Sequence, residues 1–128
     1  MDETQRLTGA THSAVVSMPT ELDITNARPF GEELIAALVL GNAVVIADMT
    51  NTRFCDSSGA RALAIAHRQA AALKAELWLV VPSASVLRTL SLSGLDQLIP
   101  IYQTLDEALA PAPRPVSCPR PSRSLAPG

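Results

Sequence analysis

An α/β fold, a small sheet covered by helices, is predicted by three observations. Short apolar runs rich in β-branched residues alternate along the chain with Ala/Leu-rich stretches of high helix propensity. Aromatic residues make up only 3% of the sequence, so the core is built from Val, Ile, Leu and Ala, which suits a parallel or mixed sheet under helices. With 128 residues, 48% of them apolar, the chain has room for one core and one domain.

The elements follow in order. Ala14-Val15-Val16 reads as a strand stopped by Pro19, and Glu21 to Ile24 as a second short strand. Thr25 or Asn26 caps a helix from about Ala27 to Leu40, with Pro29 in its first turn and Glu32-Glu33 near its positive end. Phe30, Leu34, Ala37, Leu38 and Gly41 mark its buried face at helical spacing, and Gly41-Asn42 ends it. Val44 to Asp48 is the central strand, and Ala60 to Leu73 the second helix. Leu77 to Val81 is a further strand, stopped by Pro82. Ser83 or Ser85 caps a third helix running to Leu92, which Ser93-Gly94 terminates. Leu98 to Tyr102 reads as a last strand. Thr104-x-x-Glu107 has capping-box spacing and opens a final helix to about Ala110.

Residues 1–12 are expected to form an N-terminal arm and 13–110 the domain. Beyond Ala110, six of eighteen residues are Pro, with Ser, Arg and Ala between them. That composition predicts a disordered tail, because it offers too little apolar surface to offset chain entropy. The tail holds three Arg and no acid, leaving twelve acidic against seven basic residues in the rest of the chain. Such a balance argues against direct nucleic-acid binding. Cys55 and Cys118 lie in unrelated contexts and suggest neither a zinc site nor a disulfide framework. No apolar run has the length of a membrane span, and the acidic start lacks the order of a signal peptide. A cytoplasmic protein, monomeric by default and without membrane contact, is the expectation.

The richest segment is Val44 to Gly59: an apolar strand, Asp48, a polar turn, then Phe54-Cys55-Asp56-Ser57-Ser58-Gly59. Asp-Ser-Ser before an Ala/Leu-rich stretch signals a helix N-terminus, since such side chains accept from unpaired backbone N–H groups. A serine hydroxyl is thereby placed at the positive end of a helix, where a phosphate is favoured. Gly59 adds permissive backbone and removes a side chain beside that hydroxyl. Asp23, Asp48 and Asp56 follow or end predicted strands and could gather on one sheet edge; carboxylates there are more often structural than metal-binding, so no metal is expected. His67 is placed as a packing or surface residue of the second helix. Gly-x-Ser-x-Gly is absent, as is a phosphate-cradling Gly-rich loop followed by Lys. Neither serine hydrolysis nor nucleotide hydrolysis is indicated.

Val44 to Asp48 with Phe54 to Gly59 resembles the signature of STAS domains, the anti-sigma factor antagonist family. Glu21-Leu22-Asp23-Ile24-Thr25-Asn26-Ala27 is similar to that family's lead-in to the first helix, and Leu92-Ser93-Gly94-Leu95-Asp96 to one of its turns. Pro100-Ile101-Tyr102, with Leu105 to Leu109 following, is similar to its closing strand and helix. Five segments agree in order and spacing over roughly residues 13–110.

The resemblance implies a mixed sheet of four to five strands, with about four helices mainly on one face. It also implies a regulatory binding protein without catalytic residues, cofactor or metal of its own. In such antagonists the unphosphorylated form binds an anti-sigma factor that is also a serine kinase, and the sigma factor is released. The kinase phosphorylates the second serine of Asp-Ser-Ser-Gly, and a PP2C-type phosphatase reverses this. By position the acceptor is Ser58, with Ser57 as the cap and neighbour. Asp56 would orient the turn, and Asp23 would lie on the same face. Asp23, Asp56, Ser57, Ser58, Gly59 and Arg61 are the implied partner-binding residues. Arg61 departs from the small residue usual at its position; one turn beyond Ser58, it would neutralise a phosphate in cis or meet an acidic partner. The competing expectation is a STAS module that binds a small ligand or nucleotide, with Ser58 as a binding hydroxyl.

Overall fold

A computed structural model describes residues 13–110, so the arm, the tail and Cys118 lie outside the described residues. Strand β1 (Ser13–Ser17) leads to the short β2 (Glu21–Leu22) and helix α1 (Ala27–Val39). Then come β3 (Val44–Asp48), the short β4 (Phe54–Cys55), α2 (Ser57–Ala72) and β5 (Glu76–Val80). Helix α3 (Ala84–Leu92), a 3₁₀ turn (Leu95–Gln97), β6 (Ile101–Tyr102) and α4 (Leu105–Ala108) complete the order.

Four strands form one sheet in the order β1-β3-β5-β6, while β2 and β4 pair separately. Every ladder among the described residues is parallel, so the antiparallel member of a mixed sheet is not among them. The strand order advances in one direction. Right-handed crossovers then place the connecting helices on the same face, and α1, α2 and α3 all pack there. Alternation along each strand sorts side chains between the two faces. Ala14, Val16, Val45, Ala47, Leu77 and Leu79 join the three-helix core. Ile46, Trp78, Val80 and Tyr102 point to the opposite face, which α4 covers through Ala108 and Leu105. Burial on both faces explains why the central strands are continuous apolar runs rather than alternating ones.

Several boundaries depart from the sequence-based expectation. Gly41 is exposed and has φ +101°, so it turns the chain at the end of α1 rather than packing on its buried face; Gly31 and Ala27 take the buried positions instead. Glu32 and Glu33 lie beyond the first turn of α1, and Glu32 pairs with Arg28 at 3.3 Å. The last strand is only Ile101–Tyr102, because Leu95–Gln97 winds into a 3₁₀ turn entered at Gly94 with φ +79°. The expected caps on the later helices hold: Ser83 accepts from the Val86 amide and Thr104 from the Glu107 amide.

Candidate functional site

The start of α2 is set by the strand before it. Leu22 and Cys55 are partners in the β2–β4 ladder, and the Asp56 amide donates to the Leu22 carbonyl at 3.2 Å. Asp56 is therefore still extended, with φ −98° and ψ −171°, and is the last residue before the helix. Its carboxylate accepts from the Gly59 amide at 3.0 Å, and its carbonyl accepts from the Ala60 amide. The cap is thus Asp56, not Ser57 as the sequence suggested. A carboxylate combines the capping hydrogen bond with favourable charge at the helix's positive end. Ser57 and Ser58 become the first two helical residues, whose amides have no intrahelical acceptor. Ser57 is exposed and Ser58 half-buried, and neither hydroxyl has a hydrogen-bond partner among the described residues.

Gly59 is buried, and its place is tighter than chain flexibility requires. A Cβ there would lie 2.8 Å from the Leu22 carbonyl oxygen and 2.8 Å from Cys55 Sγ. The residue lets the first turn of α2 sit down on the β2–β4 pair, so it supports the serines from beneath. Cys55 is part of the core. Burial, then the neighbouring Asp56 charge, pushes its thiol up to about 11, which keeps it protonated and unreactive at neutral pH.

Asp23 occupies the matching place after β2. Its carboxylate accepts from the Thr25 amide and hydroxyl, while its amide donates to Asn26 Oδ1 at 2.9 Å. Asn26 Nδ2 in turn donates to the Glu21 carbonyl. Pairing of β2 with β4 brings Asp23 and Asp56 to the same edge. Asp48 does not join them: it accepts from Thr50 at the end of β3 and lines a separate cleft with Asp106 and Gln103. The expected three-acid cluster is therefore split, and among the described residues no group of three potential ligands could hold a metal.

A groove of about 540 Å³ runs between α1 and α2, with Ser58 in its wall. Arg61, Ala62 and Ile65 line it from α2, and Arg28, Glu32 and Ile35 from α1, with Ile24 just before that helix. The helices approach closely at Gly31, where a Cβ would meet Ala62 Cβ at 3.2 Å. Ile24 is 77% exposed and Ile65 42%, so the groove offers apolar surface beside a hydroxyl and two guanidinium groups. Ile24, Arg28 and Ile65 were not singled out from the sequence. Their local signal is no more than an exposed Ile or Arg; the packing of α1 on α2 brings Ile24 and Arg28 into the groove wall with Ser58, and Ile65 lies about two turns further along the same helix as Ser58. His67, half-buried on α2, does not line the groove, and burial lowers its pKa.

A family model for the STAS domain matches residues 3–108, beginning within the expected N-terminal arm. Among solved structures, a Thermotoga maritima protein described as a candidate anti-sigma factor antagonist is 26% identical, with a TM-score of 0.68 over 76% of this chain and 84% of that one. An anti-sigma factor antagonist from Mycobacterium paratuberculosis is also 26% identical, with a TM-score of 0.63 over 76% and 82% of the two chains. The Bacillus anti-sigma factor antagonist SpoIIAA, in its unphosphorylated form, shares the fold at 24% identity, with a TM-score of 0.64 over 76% and 84%. No curated protein sequence matches the chain. With nearly the whole described region matched and the strand, cap and helix of the signature in place, the chain belongs to the STAS domain family.

Proposed function

We propose that this chain is an anti-sigma factor antagonist whose unphosphorylated form binds an anti-sigma factor that is also a serine kinase, and that phosphorylation of Ser58 ends the binding. The observation that carries this reading is the position of Ser58. Its hydroxyl is half-buried in the wall of the α1–α2 groove and unengaged by the protein, while the Asp56 carboxylate does the capping. A hydroxyl needed only to cap the helix would be bonded to a backbone amide.

In the proposed reaction the Ser58 oxygen takes the γ-phosphoryl group of ATP and gives up its proton, with ADP leaving. The kinase supplies base and metal, so the substrate chain needs no catalytic residue. A PP2C-type phosphatase hydrolyses the ester, returning the hydroxyl and inorganic phosphate. The added group carries about −1.5 to −2 charges. At the start of a helix this charge does not oppose the fold, but inside a protein interface it must be desolvated and it repels nearby acids such as Asp56. Binding is lost while the architecture stays. Two of the similar structures described above, each 26% identical, are an antagonist and a candidate antagonist of anti-sigma factors, which supports this partner class. The cytoplasm, where sigma factors act, is the corresponding compartment.

The test is intact-mass measurement after incubation with ATP and each anti-sigma factor kinase of the source genome. One added phosphate, absent only in Ser58→Ala and retained in Ser57→Ala, is the expected result. Kinase binding without any mass gain would point instead to an unswitched antagonist, and neither binding nor mass gain to a ligand-binding module.

A further inference from the structure

Three charged side chains share the groove wall with Ser58: Arg61, Arg28 and Glu32. Arg61 lies three residues beyond Ser58 on α2, where side chains are neighbours on the helix surface. It is exposed and forms no ion pair among the described residues, where Arg28–Glu32 is the only one. Arg28, in the first turn of α1, lines the same groove from the other helix. Its link to Glu32 is a single contact of 3.3 Å, between side chains 88% and 65% exposed. Exposed pairs of this kind are weak, so Arg28 is easily recruited by a stronger anion. A guanidinium matches the geometry of phosphate oxygens and forms charge-assisted hydrogen bonds with them.

We infer that Arg61 and Arg28 form a clamp that closes on a phosphate at Ser58, so that phosphorylation converts the mouth of the α1–α2 groove from net cationic to net anionic. The inference rests on Ser58 being the modified residue. Before modification the groove mouth carries two guanidinium groups against one carboxylate. A dianion on Ser58 draws both arginines to itself and leaves Glu32 unpaired, so the sign of the surface reverses. The consequence for recognition is specific. A partner segment that seats an apolar side chain against Ile24 and Ile65, and a carboxylate against Arg61, fits the unmodified groove. After modification it meets an occupied Arg61 and an exposed Glu32. The switch therefore acts by withdrawing a cation as well as by adding an anion. Asp56 opposes the clamp from the cap position, and the pairing must exceed that repulsion.

The clamp can be tested without any kinase, by installing phosphoserine at position 58 of the full chain during translation and following the phosphate by ³¹P NMR across pH. An unpaired phosphoserine has its second pKa near 6. Pairing with guanidinium favours the dianion and is expected to bring the value to about 5 to 5.5. Arg61→Gln should return it most of the way to the value in urea-unfolded chain, Arg28→Gln should do so partly, and Arg61→Lys should retain part of the shift. Amide spectra of each variant establish that the fold is kept. An ordinary value in the native chain overturns the clamp, and so does a lowered value that Arg61→Gln leaves unchanged. Because the phosphate is installed chemically intact, these outcomes are independent of whether a kinase modifies Ser58. Failure of the clamp and failure of the proposed function are thus separate results.

Discussion

The Asp56 carboxylate accepts the Gly59 amide at 3.0 Å, and this one contact releases both intervening serines from structural duty. A helix start needs a side-chain acceptor for its orphan amides; here the acidic residue provides it, and two hydroxyls remain on the surface of the first turn. In the proposed function, stability and signalling are consequently carried by different residues.

That division predicts unequal effects of neighbouring substitutions. Asp56→Ala should lower stability by about 1 kcal/mol, the usual value of an N-cap. Ser57→Ala and Ser58→Ala should each change it by less than about 0.5 kcal/mol, as surface substitutions do. Urea unfolding of the three variants checks this; a Ser57→Ala loss as large as that of Asp56→Ala would return the cap to Ser57.

Gly59 is the most constrained residue near the site. Ala at this position places a methyl group against the Leu22 carbonyl and the Cys55 sulfur, both at 2.8 Å. The expected cost is about 1–3 kcal/mol, as for overpacked cores. Adding Cys55→Ala relieves the sulfur but not the backbone oxygen, so the double variant should recover only part of the loss. Full recovery in thermal melts would show that the carbonyl contact is unimportant.

A pH dependence follows from His67. Burial lowers its pKa below the ordinary 6.5, so the folded state disfavours the imidazolium. The stability this represents is fully present above the unfolded value of 6.5 and is lost as pH falls through the lowered folded value. Unfolding free energies should therefore drop as the pH falls below the unfolded value, and His67→Gln should flatten part of that drop. An imidazole signal of His67 titrating at or above 6.5 would contradict the assignment.

Much of this arrangement was legible in the sequence, for reasons that differ by element. Val44 to Asp48 announced itself as a short β-branched run typical of a buried strand, and Thr104-x-x-Glu107 as a cap, because those signals are local. The strand Phe54–Cys55 was missed because two residues carry no periodicity, and it exists only through its pairing with Glu21–Leu22. The same pairing decides the cap: Asp-Ser-Ser offers three candidates, and the hydrogen bond from the Asp56 amide to Leu22 holds Asp56 extended and assigns it. Asp23 and Asp56 follow the paired strands β2 and β4 and so share an edge, while Asp48 ends a different ladder and stays apart. The groove was invisible for a similar reason, since Ile24 and Arg28 share its wall with Ser58 only through the close approach of α1 to α2 at Gly31 and Ala62.

The proposed switch at Ser58 is tested most directly by comparing the affinity of unphosphorylated and Ser58-phosphorylated chain for the same anti-sigma factor kinase by titration calorimetry. Specific binding of the unphosphorylated chain is expected, with a loss of at least about tenfold on phosphorylation, equivalent to about 1.4 kcal/mol. Equal affinity of the two forms for a kinase that binds the chain would contradict the switch.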